Sequence, residues 1–159
     1  MTVDNDTKYS GLEQAQAYVV PSYQFMLSRL EAVDSRLQTV VAFVATVTLA
    51  VPAMSRALQP AISFESAWFV SAVVLALATI ALGSAVRLSG ALSLVNPATV
   101  YAQWLHLSQW EFQRHALYYA GQHFEANGAL VNRKARGVFV MTSLFLLELI
   151  CLFVWIARA

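Results

Sequence analysis

One carboxylate stands alone inside an apolar run. Glu148 lies near the middle of the stretch from Gly137 to Ala157, which carries no other charged residue. A run of about 20 apolar residues is what the roughly 30 Å hydrocarbon core of a bilayer demands of a helix. An ionisable group at mid-depth costs about 2.5 to 3.5 kcal/mol on insertion scales, so its presence needs a reason. Two readings stand side by side. Glu148 lies on a water-filled path, as a proton or cation site or as one member of a ring in an oligomer. Alternatively it is a protonated side chain bonded to a neighbouring helix. Thr46 and Thr79 are the expected partners: Thr46 sits at mid-depth of its own apolar run, and Thr79 lies only about 4.5 Å from that level at 1.5 Å per residue.

A second cluster, Arg133, Lys134 and Arg136, lies just before that run, with Asn127 and Asn132 nearby. Such a group suits an anionic ligand such as a nucleotide, but a topology anchor at a membrane edge explains it more simply. His106, His115 and His123 are nine and eight apart, which places no two of them at the helical separation of a metal pair. The chain has no Gly-rich phosphate loop, HExxH motif or nucleophile elbow, and no enzyme is expected. Neither a metal nor another cofactor is predicted. Cys151 is the single cysteine, so an internal disulfide is excluded and an apolar packing role is the default.

The elements that must hold these residues are helical. Hydrophobic residues make up 58% of the 159, charged residues only 12%, and the mean hydropathy is +0.57. These values predict an all-α integral membrane protein with three transmembrane helices, about 37–55, 66–86 and 137–157, plus amphipathic cytosolic helices in 87–136. Residues 1–21 are expected to be a flexible segment and 22–159 a single helical membrane domain. Asp4 and Asp6 precede Lys8 and no apolar run begins before Leu37, so no secretory signal is predicted. Pro21-Ser22 reads as a helix start, followed by an apolar stripe at Met26, Leu30, Val33 and Leu37. That helix continues to about Ala53, with Pro52 as a terminal breaker. Ser63 with Glu65 reads as the cap of the second span. Small residues mark a close-packing face on each of the first two spans: Ala72, Ala76, Thr79 and Gly83 on the second, and Ala42, Thr46 and Ala53 on the first.

Asn96-Pro97 breaks or restarts the chain, and Ala98 to about Asn127 reads as an aromatic helix with Gly121 and Gly128 as candidate breaks. Its apolar residues fall on two lines, Leu105, Phe112 and Tyr119 on one and Trp110, Leu117 and Phe124 on the other. These six are the expected contacts for a second copy or a soluble partner. Trp68 and Trp155 flank spans, as interfacial aromatic belts do. Of the ten basic residues, Lys8, Arg29, Arg36, Arg87, Arg114, Arg133, Lys134 and Arg136 fall on one side of the predicted spans and Arg56 and Arg158 on the other. That bias predicts a multi-pass inner-membrane protein with a cytosolic N-terminus and an outside C-terminus. A net charge of +1 gives no field for duplex nucleic acid.

Arg29-Leu30-Glu31-Ala32-Val33-Asp34-Ser35-Arg36, leading into the first span, resembles the acidic-then-basic lead-in of small bacterial SLATT-type and Pycsar-type antiviral membrane effectors. The hairpin of two spans and the helical segment after it are similar to theirs. The later span after Asn132-Arg133-Lys134-Ala135-Arg136 is more like the Pycsar-type layout and departs from the two-span SLATT plan. The resemblance implies a homo-oligomer that opens or disrupts the inner membrane when an antiviral signal, often a nucleotide or oligonucleotide, reaches its cytosolic part. Two other expectations are kept: a non-conducting anchor or assembly subunit that docks a soluble partner, and, ranked last, a proton-coupled transporter.

Overall fold

The computed structural model describes residues 11–60, 62–93 and 95–158. Residues 1–10, with Asp4, Asp6 and Lys8, lie outside the described residues. The described chain is all-helical: α1 (Leu12–Leu58), α2 (Ala67–Leu88), the short α3 (Pro97–Thr99) running into a π-helical turn (Val100–Trp104), and α4 (Gln109–Ala157). Three of these, α1, α2 and α4, are long and apolar enough to cross a membrane, in agreement with the three predicted spans.

Helix boundaries differ from expectation for local reasons. α1 begins at Leu12, so the helix already covers much of the segment expected to be flexible, and Pro21 lies within it. It also runs through Pro52 to Leu58. Ser66, not Ser63, stands at the N-cap position of α2, without a capping bond from its side chain, and the Ser63 hydroxyl accepts from the Glu65 N–H at 3.2 Å in the preceding turn. α2 ends where Gly90 takes a φ of 136°, a conformation open to glycine. Asn96 restarts the helix, its side chain accepting from the Ala98 N–H at 2.9 Å with proline behind it. The expected helix 98–127 does not form as one piece. It stops after Trp104, and α4 then passes unbroken through Gly121 and Gly128 into the third span. The signal lay in Ser108-x-x-Glu111: each side chain serves the other's backbone N–H, Ser108 Oγ at 3.3 Å and Glu111 Oε2 at 3.1 Å. This reciprocal capping box starts α4 at Gln109.

The described chain divides into two compact units. The first comprises the described residues of 11–30 and 91–131. In it Met26 is buried, as are Leu130 and Val131, and a polar node joins three segments: the Tyr23 hydroxyl donates to the Ser93 carbonyl at 2.8 Å, and Asn127 Oδ1 accepts from the Ser93 N–H at 2.9 Å. Trp104 packs edge-on against Phe112 across the break before α4, with centroids 5.7 Å apart.

The second unit comprises residues 31–90 and 132–159. Two apolar clusters join its three helices, one around Leu37, Val86 and Met141, the other around Ile62, Ala72, Leu152 and Trp155. The predicted small-residue face of α2 is the buried one: Ala72, Ala76, Thr79, Gly83 and Val86. The matching stripe on α1 is not, because Ala42, Thr46 and Ala53 are exposed and the buried face carries Leu37, Val44, Pro52 and Ser55. Trp155 is also no lipid-facing belt residue. It is 2% exposed, packs against Phe64 and Phe69, and donates its indole N–H to the Ser63 carbonyl at 2.9 Å.

Close approach in this unit depends on glycine. A Cβ on Gly83 would lie 2.8 Å from the end of Met141 and 3.0 Å from Val41, and one on Gly137 would collide with the branched side chain of Val86. A Cβ on Gly121 would meet nothing. Gly137→Ala is expected to lower stability in detergent by about 1 to 3 kcal/mol through overpacking. Gly121→Ala should raise it by about 0.5 to 1 kcal/mol through helix propensity. Thermal denaturation followed by circular dichroism checks both signs.

Candidate functional site

Glu148 is fully buried inside the three-helix unit. Its partner is Thr48, two residues from the expected Thr46 and so on nearly the opposite face of α1. Thr46 donates to the Ala42 carbonyl of its own helix, and Thr79, though buried, donates to the Leu75 carbonyl. The predicted trio is therefore not a hydrogen-bonded site. The buried face of α1 includes Val44, with Thr48 one turn further on, so depth alone pointed to the wrong threonine.

Thr48 Oγ1 lies 2.6 Å from Glu148 Oε1 and 2.7 Å from the Val44 carbonyl. A hydroxyl has one hydrogen and serves one of these acceptors at a time. Both are satisfied together when Glu148 carries a proton: the acid then donates to Thr48, and Thr48 donates on to Val44. The second oxygen, Oε2, is buried with no hydrogen-bond partner. One carboxyl and one hydroxyl also supply far fewer oxygens than a dehydrated metal cation requires. The chemistry on offer is the taking up and giving out of a proton.

The basic cluster is spread over different tasks. Lys134 is only 4% exposed and pairs with Asp34 at 3.2 Å, Arg133 donates to the Ser89 carbonyl, and Arg136 is exposed. Asn127, considered above as a ligand contact, is 2% exposed and held inside the first unit by Ser93 and Tyr23. Burial raises the Tyr23 phenol above its ordinary pKa, against an opposing hydrogen bond from Asn127.

Of the expected contact residues, Trp110, Phe112, Leu117, Tyr119 and Phe124 lie on α4, whereas Leu105 falls in the turn before it and so lies on no common helical line with Phe112. Leu105, Phe112 and Phe124 are exposed; Trp110, Leu117 and Tyr119 are half-buried. Leu117 and Tyr119 line an apolar cleft of about 240 Å³ in the first unit, together with Val19, Val20 and Tyr23. Of the histidines, His115 Nδ1 lies 2.8 Å from the Glu111 carbonyl and His123 packs on Tyr119, with centroids 4.4 Å apart. No family model, curated protein or solved structure matches this chain.

Two predictions follow from these contacts. Glu148→Gln keeps a donor for Thr48 and is expected to melt within about 1 kcal/mol of wild type, Thr48→Val to lose about 1 kcal/mol, and Glu148→Ala to lose about 2 to 4 kcal/mol by adding a cavity. Equilibrium unfolding in detergent checks this order. At the start of α4, hydrogen bonds from the Ser108 hydroxyl and N–H hold the Glu111 carboxyl below its usual pKa. A depressed pKa means that the cap stabilises the helix at neutral pH and is lost as pH falls through the folded-state value. Amide exchange at residues 109–112, corrected for intrinsic rates, should therefore speed up on acidification in wild type and not in Glu111→Gln.

Proposed function

We propose that this chain is an oligomeric membrane effector or ion channel that perturbs the bacterial inner membrane, working in antiviral defence. The observation that carries the reading is Glu148, a mid-span carboxyl sealed from solvent, with no basic partner among the described residues and a hydrogen-bond chain completed by a proton. Intramembrane carboxyls of this kind are functional by default. On this reading the arrangement described, with Glu148 sealed between the helices of its own chain, is the closed form. Opening separates Thr48 from Glu148, and the carboxyl then meets water, where it ionises and favours cations. A signal arriving at the cytosolic side, a nucleotide or a protein, supplies the bias.

The second reading is a non-conducting anchor or assembly subunit. It is favoured by the apolar surface of the first unit, where Tyr18 is 76% exposed, Tyr118 73%, Phe25 64% and Phe124 43%. Surface of this kind marks interaction sites. A soluble partner recovered at fixed stoichiometry, and lost on Phe112→Ala or Phe124→Ala, supports this reading.

A membrane-potential dye in cells expressing the chain decides between the two. Wild type is expected to depolarise the cells, and Glu148→Gln, which stays folded but cannot ionise, to do so several-fold less. A flat signal from wild type, whatever the trigger applied, removes the channel reading.

A further inference from the structure

The second unit carries a groove between α1 and α2 that the hydrogen-bond chain at Glu148 does not use. Its volume is about 280 Å³. Gln38, Ala42 and Ala45 rise along one wall and Ile80, Ser84 and Arg87 along the other, each set spaced at four and three residues and so sharing one helix face. Gly83 and Val41 lie between the walls, where the absence of a side chain on Gly83 lets the helices approach closely. The groove is apolar at the Ala45 and Ile80 end and polar at the other, where Gln38, Ser84 and Arg87 meet. Arg87 is exposed and has no ion-pair or hydrogen-bond partner among the described residues, and no acidic residue lines the groove.

We propose that this groove is a binding site for an anionic phospholipid, with one acyl chain lying along Ala42, Ala45 and Ile80 and the phosphate held by Arg87. Several observations converge on that occupant. Arg87 ends the second span and Gln38 begins the first, so the charged end of the groove falls where hydrocarbon gives way to headgroups. A guanidinium with free donors matches a phosphate in a forked geometry. Along the walls, Gln38 to Ala45 covers about 10 Å at 1.5 Å per residue, which seats the headgroup-proximal part of an extended acyl chain. Basic pockets between spans on the cytoplasmic side are where anionic headgroups bind. The proposal shares with the function proposed above only the placement of the second unit in a bilayer with its Arg87 end toward the cytoplasm, and it requires no conduction.

The test is native mass spectrometry of the full chain released from nanodiscs containing equal parts phosphatidylglycerol and phosphatidylcholine. Wild type is expected to retain one phosphatidylglycerol in at least tenfold preference. Arg87→Gln should lose that preference, and Ala42→Phe, which fills the groove from an exposed position, should lose retention with Arg87 intact. Ala42→Leu serves as the smaller filler if Ala42→Phe does not fold by circular dichroism. Equal retention of the two lipids indicates annular lipid only and overturns the proposal, as does an Arg87→Gln chain that behaves like wild type. If both fillers retain phosphatidylglycerol, Arg87 is binding phosphate without a seat for the chain, and the proposal fails. Lipid retained by a wild type that does not depolarise cells sinks the channel reading and leaves this site standing.

Discussion

Holding a carboxyl in the dry interior of three helices sets the terms for the second unit. An ionised carboxylate there would need a counter-charge or several donors, and among the described residues Glu148 has one side-chain hydrogen bond, to Thr48. That contact requires α1 and α4 to come within side-chain reach, and each must also close onto α2. The small buried face of α2 allows it: Ala72, Ala76 and Gly83 present little or no side chain, and Gly137 on α4 leaves room for Val86. In a bilayer, where no hydrophobic effect drives helices together, close packing and a few interhelical hydrogen bonds are what supply association. The polar site and the glycine contacts are therefore parts of one arrangement.

The first unit is held by different means. Its polar node, Tyr23 with Ser93 and Asn127, ties the irregular segment after α2 to both long helices, and satisfies backbone groups that would otherwise be buried without partners. Around the node the surface is aromatic and only partly covered.

Much of the architecture was legible in the sequence because its signals are long. Apolar runs of span length, and the Ala72, Ala76, Thr79, Gly83 periodicity, average over many residues and survive local errors. Signals confined to one residue were less secure. Depth along a helix selected Thr46, whereas rotation about the axis, which sequence alone did not fix on α1, places Thr48 against Glu148. Pro21 and Pro52 read as boundaries, yet both lie within α1. Gly121 and Gly128 read as breaks, although the break sits at residues 105–108, where a capping box starts a new helix. The basic run before the third span concealed an ion pair, because nothing local to Lys134 announces Asp34, one hundred residues earlier.

That ion pair has a chemical consequence. The chain has only two lysines, Lys8 and Lys134, and the amine of the second is enclosed and bound to Asp34. Acylation there would erase the cation, strand the Asp34 carboxylate and force a bulkier group into packed space. Amine-directed reagents and lysine acetylation are thus turned away from Lys134 for as long as the helices stay together, and the Lys134 amine becomes a chemical record of whether the bundle has ever come apart.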